Sequence, residues 1–413
     1  YEETLEWMFR QLPMYQRQGK SAFKKDLTNI RLFCRYLENP QKKFKSIHVG
    51  GTNGKGSTST MIAHVLQENN YKTGLYTSPH LIDFRERIQI DFDKISRQFV
   101  VDFIQKHQSF LADHQLSFFE MSVGMAFDYF AQQQVDFAIV EVGLGGRLDS
   151  TNILDPEIAV ITNIGYDHMD MLGETLAEIA YEKAGIIKLN TPIVIGEKQA
   201  ETQDEFEEKS EAFNADLHYA EADLIREKFQ DSQIPDYQIK NIATAEKALS
   251  ILADTGKINI KKPLQILLEL IAQKGIYGKF MRLSTNPLIL LDAAHNQPAL
   301  EALAEEIDRL KFDKCFIVFG SVKGKDVSGL LKLLPKDAAY YFFQPSVPRG
   351  LPVSELVTAA RSSGLNFKDF NQPATAYRCA VEDMTASDLL LVTGSTFVLA
   401  DLLALPEIKN KLA

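Results

Sequence analysis

The sequence predicts two α/β domains of unequal size, a larger N-terminal one on a mainly parallel sheet and a smaller Rossmann-like C-terminal one. Three observations carry this. Strand-sized apolar runs alternate with helix-length amphipathic stretches along nearly all of the 413 residues, the pattern of repeated βα units. The runs Phe137–Val142 and Ile158–Ile161 are almost wholly apolar and rich in β-branched residues, as strands covered on both faces are. A glycine-rich turn, Gly50–Gly56, joins an apolar run to an amphipathic one.

Taken in order, a strand at Phe44–Val49 leads through that turn into a helix from about Ser57 to Asn69. Strand Thr73–Thr77 follows, then helices near Arg97–Ala112 and Glu120–Gln134. The two buried-strand runs come next, then a helix at Thr175–Ala184 and a strand at Pro192–Ile195. Between about Glu197 and Ile271 the pattern is more charged and helical, with a helix expected at Lys240–Ala253. After Gly275–Gly278 a second series begins, with strands at Leu288–Leu291, Cys315–Phe319, Tyr340–Phe343 and Leu389–Val392. The domain boundary is expected near Leu283–Pro287, giving domains 1–285 and 286–413. No solenoid-period repeat and no low-complexity tract interrupts the chain.

Composition narrows the class. At roughly 150 residues per domain, the length suits two or three domains. Hydrophobic residues at 45% and charged ones at 24% are the balance of an ordinary globular protein, which excludes collagen-like, disordered and disulfide-scaffold chains. Cys34, Cys315 and Cys379 form no CxxC pair, and Tyr1–Lys20 holds no apolar signal segment, so a reducing cytoplasm is expected. No apolar run approaches the roughly 18 residues of a membrane span; Pro287–Ala294 is strand-sized. With 55 acidic against 45 basic residues the net charge is −10. That argues against nucleic-acid binding, which wants a basic surface, yet leaves room for small anions held by a few local donors.

The stretch Gly50-Gly51-Thr52-Asn53-Gly54-Lys55-Gly56-Ser57-Thr58 is the most informative. Glycines let the backbone turn tightly so that several N–H groups converge on phosphate oxygens. The helix that follows adds the positive end of its dipole, and Lys55 adds a point charge. The pattern GxxxxGK[ST] is not met as written, because Gly56 intervenes between Lys55 and Ser57. The strand before and the helix after are the context such a loop requires. The N-terminal domain is therefore read as P-loop NTPase-like, binding a nucleotide phosphate.

Gly51–Thr58 resembles the phosphate loop of the folylpolyglutamate synthase and dihydrofolate synthase family, relatives of the Mur ligases. The resemblance continues in Tyr76-Thr77-Ser78-Pro79-His80-Leu81, Arg85-Glu86-Arg87-Ile88 and Phe119-Glu120. It runs on through Glu141–Asp149 with Thr151-Asn152, then Asp167-His168, Glu182–Ile186 and Asp292-Ala293-Ala294-His295-Asn296. The motifs occur in family order and span nearly the whole chain. The resemblance implies an ATP-dependent amide ligase that adds L-glutamate to a pterin-containing acid through an acyl phosphate. Dihydropteroate would give dihydrofolate, and tetrahydrofolate its polyglutamates, with both activities expected in one enzyme. Such chemistry needs a phosphate cradle, divalent metal and exclusion of water.

Glu141 follows the apolar run Phe137–Val140, so it lies at the carboxyl end of a predicted strand, where open α/β sheets bind ligands; a solvated strand end is the alternative. The resemblance implies that Ser78 and Glu141 hold a magnesium shared with the nucleotide. It implies that Glu141 and His168 serve a second one, with manganese a possible substitute. From the residues alone, Lys183 on its predicted helix is a solvated charge. The resemblance implies that it is carbamylated by carbon dioxide and, as an anion, helps bind the second metal. Carbamylation needs a neutral amine, which burial would favour. Lys55, His168 and Lys183 are thus the catalytic candidates.

For ATP the resemblance implies Gly51, Thr52, Asn53, Gly54, Lys55, Gly56, Ser57 and Thr58, with Asn241, Lys279, Asp292 and His295. It also implies that the smaller domain closes over the nucleotide. Asn241 is expected to open its helix, where an ordinary cap is the alternative. Lys279 departs from the family's usual arginine and loses its planar fork. For the pterin pocket the resemblance implies Phe118, Phe119, Glu120, Arg147, Leu148, Asp149 and Ser150, the last often alanine in the family. Either phenylalanine could be core. Arg85, Arg87 and Arg147 are candidates for substrate carboxylates, with surface ion pairs the alternative for the first two. Expected partners are small molecules, with no nucleic acid or membrane, and the chain is expected to be a monomer.

Two other readings stand beside this one. A cell-wall Mur ligase would need a nucleotide-binding domain before Gly51, for which about fifty residues are too few. A P-loop NTPase acting as a partner-gated switch would hydrolyse nucleotide without glutamate, and a P-loop kinase would release a phosphorylated acceptor.

Overall fold

The computed structural model describes residues 1–13, 26–229, 234–271 and 276–412. Part of the Tyr1–Lys20 segment and Gly275 of the Gly275–Gly278 turn therefore lie outside the described residues. The chain divides into two compact units, Tyr1–Gln273 and Lys274–Ala413. The break precedes the expected Leu283–Pro287 because β9 (Met281–Thr285) pairs antiparallel with β10 (Leu288–Leu291) and so belongs to the second sheet.

The first unit holds, among the described residues, an eight-stranded sheet in the order β4-β3-β2-β5-β1-β6-β7-β8. Its strands are β1 (Lys45–Gly50), β2 (Thr73–Tyr76), β3 (Ile88–Ile90), β4 (Asp93–Lys94), β5 (Phe137–Glu141), β6 (Ile158–Ile161), β7 (Ile193–Ile195) and β8 (Leu217–Tyr219). From β2 to β8 neighbouring strands run parallel, and only β3 and β4 at one edge pair antiparallel. β5 and β6 are buried along their whole length, which is why their sequences are continuous apolar runs rather than alternating ones.

Register fixes which residues share a face. His48 pairs with Val140 on one side and Ala159 on the other, so these three point the same way. On that face Ala138 and Val140 join a core with Phe33, Phe118, Phe127 and Phe130, while Ala159 and Ile161 join one with Ile179 and Ile186. Helix Lys55–Glu68 packs against β1, β2 and β5, and helix Asp236–Asp254 packs against it and against β6 and β7. Because β1, β2, β5, β6 and β7 run parallel, the loops leaving them all emerge at the carboxyl end of the sheet.

Several boundaries follow local chemistry. The helix after the glycine turn starts at Lys55 rather than Ser57, because Gly54 takes the cap position in the left-handed region at φ 81°. The helix at Phe118–Gln132 starts before the expected Glu120: Ser117 and Glu120 form a reciprocal capping box that satisfies two orphan N–H groups. Thr175 and Glu178 do the same for helix Leu176–Ala184. The helix expected at Lys240–Ala253 begins earlier, at Asp236, so Asn241 lies within it and is neither its first residue nor its cap.

The second unit is, among its described residues, a six-stranded sheet in the order β13-β12-β11-β14-β10-β9. It comprises β11 (Cys315–Phe319), β12 (Ala339–Phe343), β13 (Asn366–Phe370) and β14 (Leu389–Thr393) with β9 and β10. All neighbours but β9 and β10 pair parallel, as expected of a Rossmann-like domain.

Candidate active site

The phosphate loop leaves β1 at its carboxyl end and is held in shape by the strand beside it. Gly51 has φ 137°, and a Cβ there would lie 1.9 Å from Thr162 Oγ1, so no side chain fits. Thr52 N–H donates to Asn163 O and Asn53 N–H to Asn163 Oδ1, both at 2.9 Å. Thr162 Oγ1 donates to Asn53 O at 2.5 Å. Thr58 N–H closes the first helical bond onto Gly54 O at 2.8 Å. The N–H groups of Lys55, Gly56 and Ser57 therefore head the helix, where a helix has no carbonyls of its own to offer and where anions bind. Lys55 Nζ donates to Gly51 O at 3.1 Å and Thr52 O at 3.0 Å, which folds its charge back over the loop.

Next to the loop lies a buried acid. Glu141, the last residue of β5, is 4% exposed. Its Oε2 accepts the Ser78 N–H at 2.8 Å and would lie 3.5 Å from a Cβ on Gly56. Ser78 comes from the segment after β2, so strands β2 and β5 meet the phosphate loop here. The Ser78–Pro79 bond is cis.

Lys183 is a buried amine rather than a solvated charge. It is 4% exposed, and its Nζ donates to Gly51 O at 2.8 Å. Burial first, then the Lys55 charge, pull its pKa from 10.5 down to about 7, against the opposing pull of Asp167 and Asp149. His168 is partly exposed and heads the short helix Met169–Leu172 with φ 51°. Its N–H donates to Asp167 Oδ1 at 2.9 Å, and its Nε2 lies 3.8 Å from Asp167 Oδ2. Among the described residues no group of three or more His, Cys, Asp and Glu side chains forms a ready metal cage.

The residues assigned to a pterin divide by their surroundings. Phe118 is 2% exposed in the core, against Phe9, Phe84 and the Arg87 guanidinium. Phe119 is only partly buried, and its ring covers Gly143, where a Cβ would meet Cζ at 2.3 Å. The buried Glu120 carboxylate accepts the Ser117 N–H at 2.8 Å in its capping box. Asp149 is buried and accepts from Leu144 N–H and Thr151 N–H at 2.9 Å and from Thr151 Oγ1 at 2.5 Å; burial raises its pKa. Leu148 and Ser150 flank it, half-buried.

The three candidate arginines are not equivalent. Arg85 forks onto Asp83, with Nη2 to Oδ2 at 2.6 Å. Arg147 grips Glu182, with Nη2 to Oε1 at 2.8 Å. Arg87 is instead 3% exposed, and its Nε donates to His80 Nδ1 at 2.8 Å. Surface pairing thus describes Arg85, while Arg87 is a buried guanidinium whose charge burial disfavours.

Asn241 reaches the phosphate loop from its helix. It is buried, its Nδ2 donates to Gln238 Oε1 at 3.1 Å, and its Oδ1 would lie 2.2 Å from a Cβ on Gly54. Within the second unit, Asp292 follows β10, and its carboxylate accepts Phe280 N–H at 2.7 Å and Ala294 N–H at 2.8 Å. His295 Nδ1 lies 2.9 Å from Ala293 O. Gly278, with φ 74°, precedes Lys279, whose N–H bonds Ile276 O at 2.9 Å.

Residues 49–246 match the Mur ligase middle domain, and residues 279–396 the Mur ligase glutamate ligase domain. The chain is 33% identical to the dihydrofolate synthase/folylpolyglutamate synthase of Bacillus subtilis, over 97% of this chain and 98% of that one. It belongs to the folylpolyglutamate synthase/dihydrofolate synthase family. Escherichia coli FolC in complex with DHPP and ADP superposes with a TM-score of 0.86 at 27% identity, covering 99% of this chain and 98% of that one. A bifunctional folylpolyglutamate synthase/dihydrofolate synthase from Yersinia pestis, complexed with AMPPNP and Mn ion, gives 0.84 at 26%, covering 98% and 97%. Membership of this ATP-dependent ligase family sets aside the partner-gated switch. No helix among the described residues is long and apolar enough to cross a membrane.

Sequence reading missed Thr162 and Asn163, which hold the phosphate loop from the end of β6. The signal that singled out Glu141, a polar residue just past a buried strand, applied equally to them. It also missed His48, buried within β1, whose Nε2 lies 2.8 Å from Thr151 Oγ1. Nothing in an apolar run distinguishes such a histidine from a packing residue.

Proposed function

We propose that the chain joins L-glutamate to a pterin-containing acid at the expense of ATP, taking both dihydropteroate and tetrahydrofolate. The observation that carries this is the convergence of Lys55, the helix-heading N–H groups of Lys55–Ser57 and the buried Glu141 at the carboxyl end of the sheet. A carboxylate is a poor electrophile. Its oxygen attacks the γ-phosphorus of ATP, ADP leaves, and an acyl phosphate results. The glutamate amine then adds to the acyl carbon, loses its proton, and inorganic phosphate departs as the amide forms.

The residues divide this work. The loop N–H groups and Lys55 bind and orient the phosphates and stabilise charge that develops on them. Asn241 packs against Gly54 of the loop and is assigned to the nucleotide on the resemblance. Lys279, Asp292 and His295 of the second unit are assigned to the nucleotide on the resemblance. Phe119, Leu148, Asp149, Ser150 and Arg147 are assigned to the pterin acid, with Phe118 and Glu120 supporting them from the core and the helix cap.

The donor set suits a divalent cation of the magnesium or manganese kind. Glu141 is a buried carboxylate facing the loop's first helical turn, and Ser78 adds a hydroxyl, both hard oxygen donors. Ser78 and Glu141 would hold one ion, and Glu141, His168 and the carbamate of Lys183 a second. When bound, the ions neutralise phosphate charge. Carbamylation is supported by burial, which pulls the Lys183 pKa down to about 7 and so makes the neutral amine available near neutral pH. A cytoplasmic monomer acting only on small molecules completes the reading.

The test is phosphate release by pure protein with ATP, magnesium and glutamate, with dihydropteroate and tetrahydrofolate in separate tubes. Release in both tubes is expected. Release in neither overturns the function, and release in one restricts the acceptor.

A further inference from the structure

Asn163, two residues past β6, uses both ends of its carboxamide. Its Oδ1 accepts the N–H of Asn53 in the phosphate loop at 2.9 Å, and its Nδ2 donates to Glu197 Oε1 at 3.0 Å. Its main-chain oxygen accepts the N–H of Thr52 at 2.9 Å. Glu197 stands two residues past β7, and its second oxygen accepts Lys240 Nζ at 2.8 Å. Lys240 lies on helix Asp236–Asp254 beside Asn241, the residue packed against Gly54. A continuous chain, Lys240–Glu197–Asn163–Asn53, thus ties the phosphate loop to the ends of two strands and to the helix that carries Asn241.

We propose that Asn163, Glu197 and Lys240 are positioning residues for nucleotide binding, acting by fixing the phosphate loop through a hydrogen-bond chain of defined polarity. This rests on the reading of Gly51–Thr58 as the ATP loop. The loop has no repeating backbone bonds of its own around Thr52 and Asn53, whose N–H groups are taken by Asn163, so the path that leads to the helix-heading N–H groups of Lys55–Ser57 is set from outside. A binding site whose donors are aimed before the ligand arrives loses less order on binding. The carboxamide meets both partners: one is an N–H that must be accepted, the other a carboxylate that needs a donor. A carboxylate at 163 would still accept from Asn53 but would face Glu197, leaving two acceptors opposed. A glutamine at 197 would mend this by donating to the new carboxylate while its carbonyl accepts from Lys240. The reversed chain also restores the local charge, one carboxylate opposite one ammonium.

The experiment compares the wild type with Asn163→Asp, Asn163→Asp/Glu197→Gln and Lys240→Met as full chains, measuring kcat, the KM values for ATP and glutamate, and thermal melting. Asn163→Asp should raise the ATP KM roughly tenfold, the scale set by one opposed polar pair, with the glutamate KM unmoved. The double variant should recover most of that loss, and Lys240→Met should raise the ATP KM by a smaller factor. An unchanged ATP KM in Asn163→Asp, a double variant no better than the single one, or equal losses for ATP and glutamate overturns the proposal. Should Asn163→Asp fail to fold, the double variant and Lys240→Met decide by the same readouts. The underlying reading fails separately, if Lys55→Ala keeps wild-type affinity for AMPPNP.

Discussion

Lys55 and Lys183 donate to the same atom: the Gly51 carbonyl oxygen accepts from Lys55 Nζ at 3.1 Å and from Lys183 Nζ at 2.8 Å. Two ammonium groups on one carbonyl repel each other, and the buried one yields. That is the second cause, after burial, of the Lys183 pKa of about 7. The lysine proposed to bind phosphate therefore also helps to keep its neighbour's amine uncharged.

A pH dependence follows from this pairing. Above about 7 the Lys183 amine is mostly neutral, and below it mostly protonated. Only the neutral form adds carbon dioxide, so the carbamate signal from labelled bicarbonate, read by carbon NMR, should grow as pH rises through about 7. Removing the Lys55 charge raises the Lys183 pKa, so in Lys55→Met the same growth should occur at higher pH. An unshifted profile would show that the two lysines do not communicate.

Lys55→Ala should lower turnover by about a hundredfold or more, the usual scale for losing one donor to developing negative charge. Its side chain is partly exposed and, among the described residues, bonds only loop carbonyls, so the melting temperature should change little. Phosphate release and thermal melting, measured on the same preparation, separate the two effects.

Gly143→Ala should act on the acceptor and spare the nucleotide. A methyl group there would collide with the Phe119 ring at 2.3 Å, so the ring must swing away. The KM for dihydropteroate or tetrahydrofolate is expected to rise severalfold while that for ATP holds. Equal changes in both would place Phe119 outside the acceptor pocket.

Thr151→Val should destabilise the fold by about 1–3 kcal/mol, the cost of leaving buried polar groups unpaired. The threonine hydroxyl donates to Asp149 Oδ1 at 2.5 Å, so it can only accept from His48 Nε2 at 2.8 Å, which places the histidine proton on Nε2. Burial, then the Lys188 charge, hold the His48 pKa down to about 3, so the ring is neutral. The denaturant midpoint is the measurement, and a wild-type midpoint would show that solvent replaces the hydroxyl.

Much of the fold was legible because its signals are short-range. The runs at Phe137–Glu141 and Ile158–Ile161 are apolar throughout because both faces of those strands are covered. β13, Asn366–Phe370, escaped notice because it is a sheet-edge strand whose residues are exposed or only partly buried. β9 escaped for the related reason that only Leu283 within it is buried. At the site, the Gly51–Thr58 loop stood out through its glycines between strand and helix, while the acid ending β5 stood out through the apolar run before it together with the family resemblance. Ser117 and Glu120 also form a capping box whose signal, the S-x-x-E spacing, is local, a role beside the one expected of Glu120 at the pocket.

By itself the sequence determined the buried strands and most helices of the two α/β units, the glycine loop between strand and helix, and the family motifs in their order. Those depend on residues a few positions apart, whose periodicity, caps and backbone freedom act locally. Only the tertiary structure decided that Lys183 loses its solvent and meets Gly51, 132 positions away, that Arg85 and Arg147 are paired while Arg87 is buried, and that Asn163 holds Asn53. Such contacts exist because parallel strands far apart in the chain are brought side by side in register, and no local pattern records which neighbours that placement will supply.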